Sequence, residues 1–225
     1  MRDELGQLQS GAAVLDYACG TGQVSTVIAQ GGFSVSGFDL SDVGVQVAQR
    51  VADLAGVAAR TSLVVANAQE LPYEDETFDF VVGKAVLHHV VKYPRTAAEL
   101  YRVMKPGSVA LFSEGAAGNP LLRASRWFTI RQEVGDVPLS SKRVRLWARQ
   151  FDTVQMQGIH FLYMIKRLGF GGIDASLQHG GRNAIGRSAT FNALLRLLHR
   201  TDAALFNGVR MMLPLAGRYF IRLGK

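Results

Sequence analysis

The sequence holds one cysteine, Cys19, among 225 residues. That excludes a disulfide framework and any multi-cysteine zinc site, and it fits a reducing compartment. Charged residues are also scarce, at 19% against 48% hydrophobic, but the apolar share excludes a disordered or low-complexity chain. No run of 18 uncharged apolar residues occurs, so the sequence offers no transmembrane helix. The opening Met1–Gln7 lacks the apolar stretch of a signal peptide. Internal repeats and linkers are absent too. What is left is the expectation of a cytoplasmic single domain over 1–225, long enough for one sizeable core.

Positive charge is scarce in residues 1–91, with 4 Lys/Arg against 11 Asp/Glu, and abundant in residues 92–225, with 21 against 7. The formal net charge of +7 therefore hides an acidic part at −7 and a basic part at +14. Such a basic part suits nucleic acid, an anionic membrane surface or a phosphorylated substrate, or is simply an arginine-rich solvated face.

Short apolar runs alternate with helical patterns along the first hundred or so residues. Strands are predicted at Ala13–Asp16, Phe33–Asp39, Thr61–Ala66, Phe78–Gly83 and Ser108–Ser113. Helices are predicted over Gly22–Gln30, with Val24, Val27 and Ile28 on one face, over Ser41–Leu54 with Ser41 as N-cap, and over Ala97–Met104. Lys105-Pro-Gly107 should break the last of these. Further on, a helical stretch opens at Asn119-Pro120, a helix capped by Ser140 or Ser141 runs to about Gln150, and a sixth strand covers Phe151–Ile159. A longer amphipathic helical region over Ser188–Leu213 and a final strand at Arg218–Leu223 complete the chain. Strands alternating with helices imply an α/β fold, a doubly wound, mostly parallel sheet of seven strands with helical insertions in the C-terminal half. The last strand is expected antiparallel beside the sixth.

Asp16-Tyr-Ala-Cys-Gly20-Thr-Gly22 lies directly after a strand and before a helix. Its glycines let the backbone approach a ligand with no Cβ in the way, and the helix end presents unpaired N–H groups. Asp39 ends the second strand 17 residues after Gly22, where a carboxylate can accept from both hydroxyls of a ribose. A nicotinamide-dinucleotide site would want a third glycine. Here Ser25 takes that place, and Asp16 is a carboxylate such a site rarely uses.

At these residues the sequence resembles the class I S-adenosylmethionine-dependent methyltransferases, of the small-molecule type related to the ubiquinone/menaquinone C-methyltransferases. Six blocks carry the resemblance in family order. They are Val14–Gly22, Gly37–Ser41, Ala66–Tyr73, Phe78–Val82, Leu87–Val90 and Glu99–Gly107. The resemblance implies the Rossmann-like methyltransferase fold, S-adenosylmethionine as cofactor and S-adenosylhomocysteine as product. It makes residues 1–115 the cofactor-binding half and 116–225 the substrate-recognition and lid half. It places Ala18, Gly20 and Gly22 under the methionine part of the cofactor with Asp16 near its ammonium, Asp39 on the ribose and Leu40 on the adenine. Asn67-Ala68 stands where Asp-Ala is frequent, and the Asn oxygen can still accept from the adenine amino group. Lys84 would contribute through its backbone carbonyl.

His88 and His89 follow strand four at the carboxyl end of the sheet, where open α/β folds bind ligands. Either imidazole could take a proton from the acceptor as the methyl group transfers, or the pair could only shape the pocket. No metal site is expected, because adjacent histidines share no face and no carboxylate partners are evident. His160, His179 and His199 have no recognisable context. Glu114 is a substrate contact or a loop anchor, and Cys19 is a small filler of tight space rather than a nucleophile. Trp127, Phe128, Trp147, Phe161 and Tyr163 are core residues of which several line an apolar acceptor pocket.

The predicted activity is methyl transfer to a small, apolar, natural-product or lipid-like acceptor. An RNA methyltransferase is the rival that the basic part suggests, but no Asn/Asp-Pro-Pro-aromatic segment follows strand four to hold a flipped base. A cofactor-binding module without catalysis is a second rival, opposed by the intact acids and glycines. Arg196, Arg200 and Arg210 interrupt the apolar spacing of the 188–213 region, which suits weak contact with an anionic membrane surface. Assembly into homo-oligomers is left open. The first strand begins near Ala13, so a cover over the site is expected from residues 115–215 or from a partner subunit.

Overall fold

The computed structural model describes residues 4, 6–9, 11–115, 139–159 and 218–225. The stretches around Trp127 and Phe128, the 188–213 region with its three arginines, His160, His179, His199, Phe161 and Tyr163 lie outside the described residues. Two compact units divide the chain: Met1–Glu114 with Lys142–Gln155 and Ile221–Lys225, and Gly115–Ser141 with Met156–Phe220. The first unit holds nearly everything described below. Among the described residues, no helix is long and apolar enough to cross a membrane.

The strands are β1 Ala13–Tyr17, β2 Ser34–Asp39, β3 Thr61–Val65, β4 Phe78–Lys84, β5 Met104–Gly115, β6 Thr153–Ile159 and β7 Arg218–Gly224. The α-helices among the described elements are α1 Gln23–Gln30, α2 Asp42–Leu54, α3 Leu87–Val90, α4 Arg95–Val103 and α5 Ser141–Trp147. One sheet of seven strands results, in the order β3-β2-β1-β4-β5-β7-β6. β1 pairs in parallel with β2 and β4, β2 with β3, and β4 with β5. The N–H of Asp152 donates to the carbonyl of Gly224 (3.0 Å), and the N–H of Lys225 to that of Ser108 (3.2 Å). The end of β7 thus meets the beginnings of β5 and β6, so β7 runs antiparallel to both, as expected from the sequence.

Strands buried on both faces need near-continuous apolar runs, and β1 and β4 have them. Val14, Leu15, Tyr17, Phe80, Val81 and Val82 are all buried. Tyr17 packs edge-on against Phe38 and Phe112, at ring-centroid separations of 4.9 and 5.8 Å. Such aromatic pairs add about 0.5–1.5 kcal/mol each beyond the area they bury.

Two details depart from the sequence reading. α1 buries Ser25, Thr26, Ile28 and Ala29 and leaves Val27 exposed, because Ser25 turns inward to hydrogen-bond Asp16. Lys105-Pro-Gly107 does not separate α4 from β5; Met104 already pairs with Phe78, and the ladder resumes at Phe80–Val109 after an irregularity. Trp147 is buried, in keeping with its reading as a core residue. Its indole N–H donates to Thr96 Oγ1 at 2.9 Å, and its ring lies against Phe112 and Phe151.

Candidate active site

The chain winds outward from β1 to β3 on one side and then returns to β4 on the other. This reversal between β1 and β4 is the place where open α/β sheets bind ligands, beyond the carboxyl ends of the strands. The proposed cofactor residues and the histidine pair lie at the carboxyl ends of β1, β2, β3 and β4 or in the segments that follow them.

The loop after β1 is built from left-handed residues. Ala18, Gly20 and Gly22 have φ of 59°, 52° and 75°. Gly22 is required by packing as well, since a Cβ there would sit 2.7 Å from the Cβ of Ala48 on α2. Gly20 differs: a Cβ there would meet nothing within 4 Å, so the loop presents bare backbone to open space. Beneath it lies Cys19, packed with Val45, Ala48 and Leu63. Burial, helped by the charges of Asp16 and Asp39, pushes its thiol up to about 12. It stays a neutral filler.

Asp16 sits under the loop at 2% exposure and accepts a 2.6 Å hydrogen bond from the Ser25 hydroxyl. Desolvation raises its carboxyl to about 6 against the lowering effect of Ser25, and nearby Asp39 raises it further. Two acids in mutual repulsion make a setting that favours a cation, and the ammonium expected here fits it through charge. Asp39 is half-buried at the end of β2. Its Oδ2 accepts the Gly20 N–H (2.8 Å) and its Oδ1 the Ser41 N–H (2.9 Å). Each oxygen keeps a lone pair, so the carboxylate is locked in orientation yet able to accept from a diol. Leu40, next in sequence, is 74% exposed, an apolar side chain beside a carboxylate as an adenosine would require.

Asn67 is exposed on the loop after β3, and its Oδ1 accepts the Gln69 N–H at 3.0 Å. That oxygen retains capacity for one further donor. Ala68 is half-buried beside it. Lys84 ends β4 with an exposed side chain, consistent with a contribution from the backbone alone. The preceding Gly83 is forced by packing, because a Cβ there would lie 2.5 Å from the Phe112 ring.

His88 and His89 occupy α3, their rings 4.0 Å apart at 42°. His88 Nδ1 lies 2.9 Å from Glu114 Oε2, whereas His89 is the more exposed of the two. Glu114 itself is inside β5, not after it, and is fully buried. Its Oε1 accepts the N–H groups of Val86 (2.6 Å) and Leu87 (2.8 Å). The reading of Glu114 as a loop anchor matches these bonds, but its pairing with His88 was not legible. The two are 26 positions apart, and only the β4–β5 register brings them together.

Sequence reasoning also missed Arg102 and Glu99. The Arg102 guanidinium donates to Glu99, Asp75 and the carbonyls of Leu71 and Tyr73, while Glu99 accepts the Leu71 N–H. Hydrogen bonds from Arg102 hold the Glu99 carboxyl below the usual carboxylate range. Together they fasten the loop that follows the Asn67 turn.

Residues 15–112 match the sequence model described as a methyltransferase domain. This span contains all the loops above. Residues 15–112 form a class I S-adenosylmethionine-dependent methyltransferase domain. Among relatives of this domain, a demethylmenaquinone methyltransferase of Symbiobacterium thermophilum is 35% identical over 121 residues, 52% of this chain and 47% of its own. A phthiotriol/phenolphthiotriol dimycocerosates methyltransferase of Mycobacterium ulcerans is 32% identical over 114 residues, 50% of this chain and 41% of its own. The chain thus spans about half the length of these curated relatives. Among solved structures, the phosphoethanolamine N-methyltransferase 2 of Haemonchus contortus, in complex with S-adenosyl-L-methionine, has a TM-score of 0.69 at 17% identity. It covers 100% of this chain and 51% of its own, a likeness of fold.

Proposed function

We propose that the chain transfers the methyl group of S-adenosylmethionine to a small, apolar, lipid-like acceptor and releases S-adenosylhomocysteine. The observation that carries the reading is Asp39, held by two backbone N–H groups beside the exposed Leu40 and the bare Gly20 backbone. A diol-binding carboxylate, an apolar rest for a base and an unobstructed loop over two acids are what an adenosyl sulfonium with an ammonium needs. Asp39 would hold the ribose, Leu40, Asn67 and Ala68 the adenine, and Asp16, Ala18, Gly20, Gly22 and the Lys84 backbone the methionine part. When bound, S-adenosylmethionine supplies an already activated methyl group. The protein's share is then orientation, exclusion of water and removal of the acceptor's proton by a histidine of α3.

The acceptor class draws on the relatives, whose names specify demethylmenaquinone and phthiotriol dimycocerosates, both lipid-like. The +14 charge of residues 92–225 agrees with a protein that collects such acceptors at an anionic membrane surface. Methyl-labelled S-adenosylmethionine, offered with a prenylated hydroquinone in detergent, with phosphoethanolamine and with bulk transfer RNA, separates the choices. The expected label is in the organic extract of the hydroquinone reaction. Label in the RNA or in the aqueous amine would replace this reading.

A further inference from the structure

Three residues other than glycine have left-handed backbone among the described residues: Ala18, Glu76 and Ala85, with φ of 59°, 52° and 57°. A residue with a Cβ is disfavoured there and persists where its surroundings over-determine it. Two of the three stand at the switch point. β1 and β4 are paired as far as Asp16 and Val82; Ala18 follows two residues after the one and Ala85 three residues after the other. Beyond each alanine the backbone is tied to the strand on its outer side. The N–H groups of Cys19 and Gly20 donate to the Phe38 carbonyl and to Asp39 Oδ2 at the end of β2, both at 2.8 Å. The N–H of Ala85 donates to the Ser113 carbonyl of β5 (2.9 Å), and those of Val86 and Leu87 to Glu114 Oε1 (2.6 and 2.8 Å). The two segments are drawn apart, one towards β2 and the other towards β5, and a left-handed residue stands where each turns away. Glycine would take both turns without strain. Alanine instead narrows the conformations open to each segment. Burial does not explain the choice at Ala85, which is exposed, and explains it only in part at Ala18, which is half-buried.

We propose that Ala18 and Ala85 are positioning residues of the cofactor site: two strained alanines that stiffen the walls of the β1–β4 crevice and hold them apart before the cofactor enters. The inference rests on the methyl-transfer reading for what fills the crevice, whereas the stiffness of its walls stands independently of it. A flexible wall must be ordered when a ligand binds, and that ordering subtracts from affinity. A left-handed alanine is ordered in advance, at folding. On replacement by glycine the relief of strain offsets the added freedom of the unfolded chain, so stability changes little while the site loses its stiffness. That combination separates positioning from a purely structural role. Glu76 supplies the contrast. Its N–H donates to the Arg102 carbonyl (2.9 Å) two residues before β4 begins, at the opposite end of that strand from Ala85.

Ala18→Gly, Ala85→Gly, their double variant and Glu76→Gly form the test, each followed by calorimetric titration with S-adenosylhomocysteine and by amide hydrogen exchange. Glycine at either alanine should leave the thermal midpoint within about 4 °C of the wild type. It should weaken binding about two- to fivefold at each site, the span that glycine's extra backbone freedom gives, through a less favourable entropy. The two losses should multiply in the double variant. Exchange at Cys19–Gly22 in the first variant, and at Val86 and Leu87 in the second, should quicken in the free protein and approach the wild-type rate with ligand bound. Ala85→Asn introduces a residue that visits the left-handed region yet is stiffer than glycine, and it should keep the wild-type affinity. Glu76→Gly should leave affinity as it is. Equal affinity in the wild type and the double variant would overturn the proposal. So would unchanged exchange at both walls, or a loss in Glu76→Gly as large as at the alanines. A wild type that binds no S-adenosylhomocysteine would overturn the methyl-transfer reading instead, and exchange in the free proteins would still decide whether the alanines stiffen the walls.

Discussion

Burial holds the Asp16 carboxyl near 6, well above its ordinary value of 3.8, and the sign of the consequence follows from proton counting. Between those two values the folded chain binds more protons than the unfolded one, so stability falls as pH rises through that window. Above it the full cost is present, on the order of 2–3 kcal/mol for a shift of that size. Asp16→Asn should therefore raise stability at neutral pH by about 1–3 kcal/mol in urea denaturation, with the gain vanishing towards pH 4. The same variant should bind S-adenosylmethionine more weakly, because the charge that destabilises the empty fold is the one proposed to face the ammonium. Gly22→Ala is a second single-residue test. Its Cβ would press on the Cβ and Cα of Ala48 at 2.7 and 2.9 Å with φ at 75°, so a loss of about 1–3 kcal/mol is expected in the same assay. These two residues were legible, because a glycine loop between a strand and a helix has few readings. The contacts of Glu114 with Val86, Leu87 and His88 were not, since a lone acid at a strand end has many.

Among the elements, those whose ends are set by local chemistry were readable. Ser41 caps α2 by accepting the Gly44 N–H at 3.0 Å, as its position before an apolar-periodic run implied. Elements set by tertiary pairing were less so. Pro106 and Gly107 look like a break, yet the irregular β4–β5 ladder absorbs them inside one strand. The loop Leu71–Asp75 has no periodicity at all; it is shaped by Arg102 and Glu99 from α4. Removing Arg102 takes its hydrogen bonds from two carboxylates, Glu99 and Asp75, and from two carbonyls. Arg102→Ala should cost about 1.5–3 kcal/mol, the range for hydrogen bonds to charged groups, and should expose this loop first to limited proteolysis. Protection equal to the wild type would mean that the loop holds itself.

For the molecule as a whole, the alternation of strands and helices predicted the sheet, and the order β3-β2-β1-β4-β5-β7-β6 puts the switch point where the glycine loop and Asp39 come together. The acceptor side was hardly legible, because apolar helical spacing alone does not distinguish a core face from a pocket wall, as Trp147 illustrates. We propose that S-adenosylmethionine binds in the cleft at this switch point, with Asp39 on its ribose. Titration calorimetry of the wild type and of Asp39→Ala with S-adenosylhomocysteine tests it most directly. Saturable binding of one ligand per chain is expected, weakened in the variant by about 1–3 kcal/mol as charge-assisted bonds are lost. Equal affinity in the two proteins, or no binding to the wild type, would contradict it.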